Sequence, residues 1–312
     1  MQTAKYDFMG KRRIFFGISA AIIAVIVLCS IIFGVQMDIQ FRGGAMLTLG
    51  YEGEIQLSDV EEAAKEVLGS DITVQSSDSA TGQKAITVSM PGSETMSADE
   101  LEDLIAQLNE AYEANNFTQL ETSNVDATMG REFFIKCLVA VVTACVLILI
   151  YVWIRFRRIG GLTAGTFAVC ALINDLIVVF GCFVILQIPL NGNFVAAMLT
   201  ILGYSINDTV VIYDRIRENR KLMGNKLPFE QLVNLSINQS LRRSVNTTVT
   251  TCIALAVVCV VSVVFSLSSI FTFALPLMIG MASGLYTSLF LATGLWVEWE
   301  QRHPAKGAKA RK

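Results

Sequence analysis

The chain reads as a polytopic α-helical membrane protein, with six transmembrane helices and one α+β, ferredoxin-like (β-α-β-β-α-β) domain outside the cytoplasm. Two observations lead there. Six long apolar runs recur in 312 residues that are 53% hydrophobic and only 16% charged, with a mean hydropathy of +0.55; that is too apolar for a soluble protein of this length. Between the first and second runs lies a polar stretch, 36–130, in which segments of strand and helix periodicity follow one another.

The runs cover approximately 14–34, 133–154, 162–186, 194–213, 245–265 and 271–297. Crossing a hydrocarbon core about 30 Å thick takes roughly 20 helical residues, and each run is long enough. The first follows Lys11-Arg12-Arg13 and so has the basic flank of a signal sequence. Its apolar part is too long and no small-x-small cleavage site follows it, so an uncleaved anchor is expected. The expected organisation is then 1–35 for the N-terminus and first helix, 36–130 for the external domain, 131–297 for helices two to six, and 298–312 for a basic tail. Orientation is set by Lys and Arg near the membrane ends. These cluster at Lys5 and 11–13, in "RFRR" at 155–158, in "DRIRENRK" at 214–221 and in the tail, whereas the loops 187–193 and 266–270 have none. Both termini should be cytoplasmic. Arg131 and Lys136 run against this rule and are read as side chains snorkelling to the outer interface.

The stretch from Met37 to Gly130 holds 18 Asp and Glu against 3 Lys and Arg and should be translocated. "GAMLTLGY" from Gly44, "DITVQS" from Asp71, "KAITVSM" from Lys84 and "FTQLETSNV" from Phe117 have strand character. "SDVEEAAKEVLG" from Ser58 and "SADELEDLIAQLNEAYEAN" from Ser97 read as helices opened by capping boxes, Ser58 with Glu61 and Ser97 with Glu100. The resulting β-α-β-β-α-β order is the split ferredoxin-like pattern, a scaffold with many uses. This domain contains no His, no Cys and no nucleophile beside a plausible base, and the one histidine of the chain, His303, is in the tail. Binding or mechanical work is expected, not catalysis. All seven cysteines fall inside the apolar runs, as small packing residues; no disulfide framework, metal site or cofactor is expected. The net charge of −3 conceals a basic cytoplasmic face. That face is an ordinary result of membrane topology and anionic lipid, and gives no reason to expect nucleic acid.

Polar groups inside the apolar runs carry the functional signal. Residues 194–213 contain a single charge, Asp208, and an ionised group in hydrocarbon costs several kcal/mol by even mild estimates, about 3. Tyr204, Ser205, Asp208, Ile212 and Arg215 share a helical face at spacings of three and four, and that face must meet other helices. Asn174 and Asp175 lie near the middle of the third run, which sets a second carboxylate at roughly the depth of Asp208, and Asp175 is expected in the ion-coupling set with Asp208, Asn207 and Arg243. The fifth is entered through "SINQSLRRSVNTTVTTC", where Ser236, Gln239, Ser240, Arg243, Asn246, Thr247, Thr250 and Thr251 fall on one face. Together these suggest Asp208 packed inside the bundle, hydrated or hydrogen-bonded by Asn207, Ser205 and the Thr ladder, with Arg243 as counter-charge. Burial and a neighbouring guanidinium pull the protonation of such a group in opposite directions, which suits a proton or sodium relay. The competing reading makes Asp208 and Asp175 satisfied acids that only hold helices together, and Arg243 a positive-inside anchor like Arg242. Gly280 and Gly284 form a small-xxx-small pair, and Gly160, Gly161 and Gly165 open the third run; close helix packing is expected at both.

"FVAAMLTILGYSINDTVVIYDRIRENR" (194–220), with Gly203, Asp208, Asp214 and Arg215 in it, followed by "SINQSLRRSVNTTVTT" (236–251), resembles the signature of the SecD/SecF family of protein-export membrane subunits, on its SecF side. The layout of six spans with one external domain after the first is similar too, as is the Gly43-Gly44 pair in "DIQFRGG". The resemblance implies an accessory motor of export in the bacterial cytoplasmic membrane, with Asp208 as ion-coupling aspartate and Arg243 as functional arginine. It further implies a SecD-like partner supplying the other half of a pseudo-symmetric transporter of the resistance-nodulation-division type. Other implied partners are a Sec channel of SecY, SecE and SecG type, preprotein substrates, and transported H⁺ or Na⁺. A half-size ion-driven efflux transporter for lipid or drug, and an inert membrane scaffold, are the alternatives.

Overall fold

In the computed structural model, which describes residues 6–68, 72–78, 84–91, 98–112, 115–224, 226–265 and 267–303, the six apolar runs become helices long and apolar enough to cross a membrane. The first is α1 (Arg12–Phe33). A short α2 (Ile39–Arg42) leads into β1 (Gly44–Gly50), α3 (Leu57–Leu68), β2 (Thr73–Asp78), β3 (Lys84–Pro91), α4 (Ala98–Ala111) and β4 (Thr118–Val125). The chain then returns through α5 (Ala127–Arg155), a 3-10 turn (Arg157–Ile159), α6 (Gly161–Ile185), α7 (Gly192–Met223) and α8 (Phe229–Val264). The last crossing is α9 (Ser268–Tyr286), a π-helical stretch (Thr287–Ala292) and α10 (Thr293–Arg302), read as one unbroken helix from hydropathy.

Helices α7 and α8 are 32 and 36 residues long, well beyond the apolar run that begins the first and the one that ends the second. The polar extensions are helical because they pack on each other. Asn219 Nδ2 donates to Ser236 Oγ (2.8 Å) and Gln239 Oε1 (2.9 Å), and Arg215 Nε donates to the same Gln239 oxygen (2.7 Å). Phe156, Tyr213, Phe229 and Trp296 interlock edge to face beneath them, a geometry that aromatic quadrupoles favour.

The strands form one sheet of order β2-β3-β1-β4 with every neighbour pair antiparallel. Period-two alternation puts Ala45, Leu47 and Leu49 of β1 on one face, where they meet Ile86 and Val88 of β3, Val60 and Ala64 of α3, and Leu104 and Leu108 of α4. Leu120 of β4 is skipped in the register between Leu49↔Gln119 and Thr48↔Glu121, a bulge that leaves its side chain exposed. The capping box expected at Ser58 is not formed. The first turn of α3 already closes on the Gln56 carbonyl, which accepts from Asp59 N and Val60 N, so Ser58 lies inside the helix and its hydroxyl donates to Asp59 Oδ1 at 3.0 Å. The second expected cap falls on Ser97, outside the described residues.

Three connections join the sheet domain to the bundle. Asp38 caps α2 by accepting from Gln40 N at 2.9 Å. Gly43 and Gly44 follow with φ of +78° and +134°, conformations open to glycine and strained for other residues. Helix α2 is also tied to the loop before α7: Asp38 N donates to Leu190 O (3.0 Å), Leu190 N to Gln36 O (2.9 Å) and Gly192 N to Gln40 Oε1 (3.0 Å). Movement of α7 along its axis therefore bears directly on the base of the sheet domain.

Candidate ion-coupling site

Asp175 and Asp208 are both buried, at 0% and 3% exposure, and the bundle treats them in opposite ways. Asp175, on α6, sits in a cage of hydroxyls from two other helices. Its Oδ2 accepts from Ser205 Oγ of α7 (2.7 Å), its Oδ1 from Ser283 Oγ of α9 (2.7 Å), and Thr287 Oγ1 lies 2.9 Å from both. A second layer continues the network: Thr209 Oγ1 donates to Ser288 Oγ (2.8 Å), whose hydroxyl donates to the Ser205 carbonyl (3.1 Å). The backbones come close enough for such short side chains because α9 presents Gly284 to Ser205, where a Cβ would stand 3.0 Å from that of Ser205, and Gly280 to Ile201 and Val179. The small-xxx-small pair thus packs α9 against α7 as expected.

Asp208 has no such cage. Its Oδ2 is buried and accepts no well-aligned hydrogen bond, and the one hydroxyl set beside the carboxylate is that of Ser244 on α8, itself buried and without another partner. Ser244 and the guanidinium of Arg243 are the groups of α8 that bear on this carboxylate. Buried polar atoms are nearly always hydrogen-bonded, so a carboxylate that faces a single hydroxyl, where Asp175 has three, is the less satisfied of the two acids. Asn174, next to Asp175, also has a buried side chain whose Nδ2 and Oδ1 are unpartnered.

The sequence-derived site is therefore brought together in part. Ser205 serves Asp175, not Asp208: the two positions, about 60° apart around α7, divide between neighbours, Ser205 turned to α6 and the last crossing and Asp208 to α8. Tyr204 reaches α8 through weak contacts of its hydroxyl with Thr248 (3.5 Å) and Thr251 (3.4 Å). The Thr ladder does not line Asp208: Thr247, Thr250 and Thr251 donate to carbonyls of their own helix. Arg243, Asn246 and Thr250 are exposed, as are Gly203 and Asn207 on α7. The buried seam of α8 instead runs through Ser236, Ser240, Ser244 and Thr248 at spacings of four. Asp214 pairs with Arg155 (3.0 Å), and Arg215 with Glu218 (2.5 Å) and Gln239, at the end of the bundle that carries the termini.

A multi-pass helical bundle that buries two acids on adjacent helices, and sets a small α+β domain after its first crossing, has the architecture of the membrane subunits of protein export. The family model described as protein export membrane protein SecD/SecF, C-terminal, matches residues 104–302. The SecF subunit of Thermobaculum terrenum is 33% identical over 95% of this chain and 94% of its own length. The chain belongs to the SecD/SecF family. The SecDF protein of Bacillus subtilis is 31% identical over 97% of this chain, which spans only 39% of that longer relative. The crystal structure of SecDF, a translocon-associated membrane protein from Thermus thermophilus, superposes with a TM-score of 0.81 at 29% identity, over 97% of this chain and 40% of that one.

Proposed function

We propose that this chain is a SecF-type accessory subunit of the protein translocase, which couples H⁺ or Na⁺ flow through the bundle to movement of its sheet domain and so promotes late steps of preprotein export. The observation that carries this is the buried carboxylate of Asp208, whose Oδ2 has no well-aligned donor and which faces only the Ser244 hydroxyl and the guanidinium of Arg243. A carboxylate with so few donors in a low-dielectric site gains by taking a proton or a hydrated cation, and a guanidinium within reach makes release possible again. Asp175, with three hydroxyl donors, serves as a junction of α6, α7 and α9. One charge moving through a potential of 100 mV releases about 2.3 kcal/mol, enough to bias a two-state movement.

The exposed polar strip of Gly203, Asn207, Asn246 and Thr250 supports a SecD-like partner. Polar groups at membrane depth avoid lipid, and a second six-helix half would cover them. Both termini then face the cytoplasm of a bacterial cell whose inner membrane holds the protein, and the sheet domain, ferredoxin-like in its order of elements, works outside it near a channel of SecY, SecE and SecG type. The clamp of α2 on the loop before α7 supplies the mechanical path from the Asp208 helix to that domain. The test is preprotein export from inverted vesicles carrying this chain and its partner, under imposed proton or sodium gradients. Asp208→Asn and Arg243→Ala should lose the gradient-driven increment while keeping the ATP-driven one; an Asp208→Asn protein that exports as fast as the parent would overturn the reading.

A further inference from the structure

At the end of the bundle that carries the termini, the last turn of α5 and the 3-10 turn after it diverge from the end of α7 and leave a cavity of about 1010 Å³. Its wall carries Arg155, Arg157, Arg217, Arg220 and Lys221 against a single carboxylate, Glu218, and Glu218 is already taken by Arg215. Asp214 holds Arg155 at 3.0 Å. Arg217 is ion-paired with the other Asp214 oxygen at 2.9 Å, so one carboxylate is shared by two guanidinium groups and neutralises only one of their charges. Both guanidinium groups lie over the Phe156 ring, 5.4 and 6.0 Å from its centre, which positions them on the wall. Among the described residues, no carboxylate pairs with Arg157, Arg220 or Lys221.

The depth of the cavity identifies what these cations face. Tyr151 and Trp153, 50% and 47% exposed, precede it on α5, and such amphipathic aromatics sit at the headgroup level of a bilayer. Ile154 of the wall is 61% exposed, and Leu162, three residues beyond Ile159 of the wall, is 57% exposed, so aliphatic surface adjoins the cavity. Guanidinium forks over an apolar rim match a phosphodiester with acyl chains attached, and basic pockets between membrane helices are suited to lipids with multiply charged headgroups.

We propose that this cavity binds an anionic phospholipid, with the phosphates of a two-phosphate headgroup between the α5 and α7 arginines and the acyl chains along Ile154 and Leu162. The volume exceeds what one phosphate needs, and five donors serve two phosphodiesters better than one. The lipid would bridge α5, which leaves the sheet domain, to α7, which bears Asp208.

The test is native mass spectrometry of the full chain in detergent with cardiolipin, phosphatidylglycerol or phosphatidylcholine added, and inorganic phosphate as competitor. Cardiolipin should be retained in preference to phosphatidylcholine. The triple variant R157Q/R220Q/K221Q should lose retention by about a hundredfold, at about fivefold per cation near lipid phosphate. Arg302→Gln, which removes a cation outside the cavity, should not. All three substituted side chains are exposed; an unchanged melting curve checks the fold, and Arg157→Gln alone should lower retention if the triple variant does not fold. Undiminished binding by the variants, an equal loss in Arg302→Gln, or full displacement by inorganic phosphate would each overturn the proposal; the last two would mean diffuse attraction and a free-phosphate site, respectively.

Discussion

Thr287 Oγ1 stands 2.9 Å from each carboxylate oxygen of Asp175, so one hydroxyl closes the cage that joins α6 to the last crossing. It can do so because Thr287 opens a π-helical stretch. The widened turn lets Thr287 and Ser288 both reach inward, to Asp175 and to Ser205 and Thr209. Removing a donor from a buried, satisfied acid costs about 1–3 kcal/mol. Thr287→Val, nearly isosteric, should therefore lower the thermal stability of the detergent-solubilised protein by that amount. Asp208→Asn should change the melting temperature less, since the Asp208 carboxylate faces a single hydroxyl, Ser244, and an amide oxygen can still accept from it. Equal destabilisation by the two would contradict the division between a structural and a working acid.

The different treatment of the two acids was beyond the reach of the sequence, for an identifiable reason. Hydropathy places the six crossings, and alternation in 44–50 and 84–90 places the strands, because both patterns follow from burial against water or lipid. Helix azimuth within a bundle is another matter. Hydroxyl residues occur on two faces of α8, and Ser244 and Thr248, which are buried, are as polar as Asn246 and Thr250, which are exposed. Since lipid-facing and core-facing helix surfaces are both apolar, nothing in the period tells which polar line points inward. The available signal was the spacing of four through Ser236, Ser240, Ser244 and Thr248. Ser283, Thr287 and Ser288 were hidden for the same reason: they lie in an apolar run whose period does not tell the core-facing line from the lipid-facing one.

The N-terminal segment is held by two asparagines of α8. Asn234 Oδ1 accepts from Phe8 N (2.9 Å) and Met9 N (3.3 Å), Asn234 Nδ2 donates to Tyr6 O (3.0 Å), and Asn238 brackets the same peptide through Tyr6 N (2.9 Å) and Tyr6 O (2.8 Å). Met9 is fully buried, and Arg12 extends the clasp to Glu230 of α8 and Glu298 of α10. Asn234→Ala leaves buried amides without an acceptor, a cost of about 1–3 kcal/mol. Amide exchange at Phe8 and Met9 should then accelerate by about ten- to a hundredfold, read by hydrogen-exchange mass spectrometry, while exchange in α5 stays unchanged. Protection at Phe8 and Met9 equal to that of the parent would show that packing alone holds the segment.

Gly43 and Gly44 turn the chain from α2 into β1 at φ of +78° and +134°, and Gly130 of α5 packs on that turn, where a Cβ would come 2.7 Å from Gly43 N. Left-handed backbone costs a side chain roughly 1–2 kcal/mol per residue. Gly43→Ala and Gly44→Ala should each loosen the junction, and Gly130→Ala should do so by displacing α5. Limited proteolysis is the readout: cutting near 36–44 should speed up in all three, and in the double variant Gly43→Ala/Gly44→Ala more than in either single one. A turn that resists the protease equally in parent and variants would mean its conformation is not strained by a side chain.

The two aspartates that cap helices at this junction should respond to acid in opposite order. Burial raises the pKa of Asp38, outweighing the hydrogen bond from Gln40 N. Asp126 is exposed at the start of α5 and is lowered, by the Thr128 hydroxyl first and then the Thr128 N–H. A raised folded-state value means that the native protein binds its proton more readily than the unfolded chain does, so the stability linked to Asp38 falls as pH rises through the folded pKa. For Asp126 the sign is reversed: its contribution is present above the ordinary carboxylate value and is lost as pH falls through the depressed folded one. Protonation weakens an ionised cap as an acceptor. On acidification, protection of the Gln40 amide against exchange, corrected for intrinsic rate, should therefore fail at a higher pH than that of Thr128. Loss in the reverse order, or at the same pH, would contradict the burial that distinguishes Asp38 from Asp126.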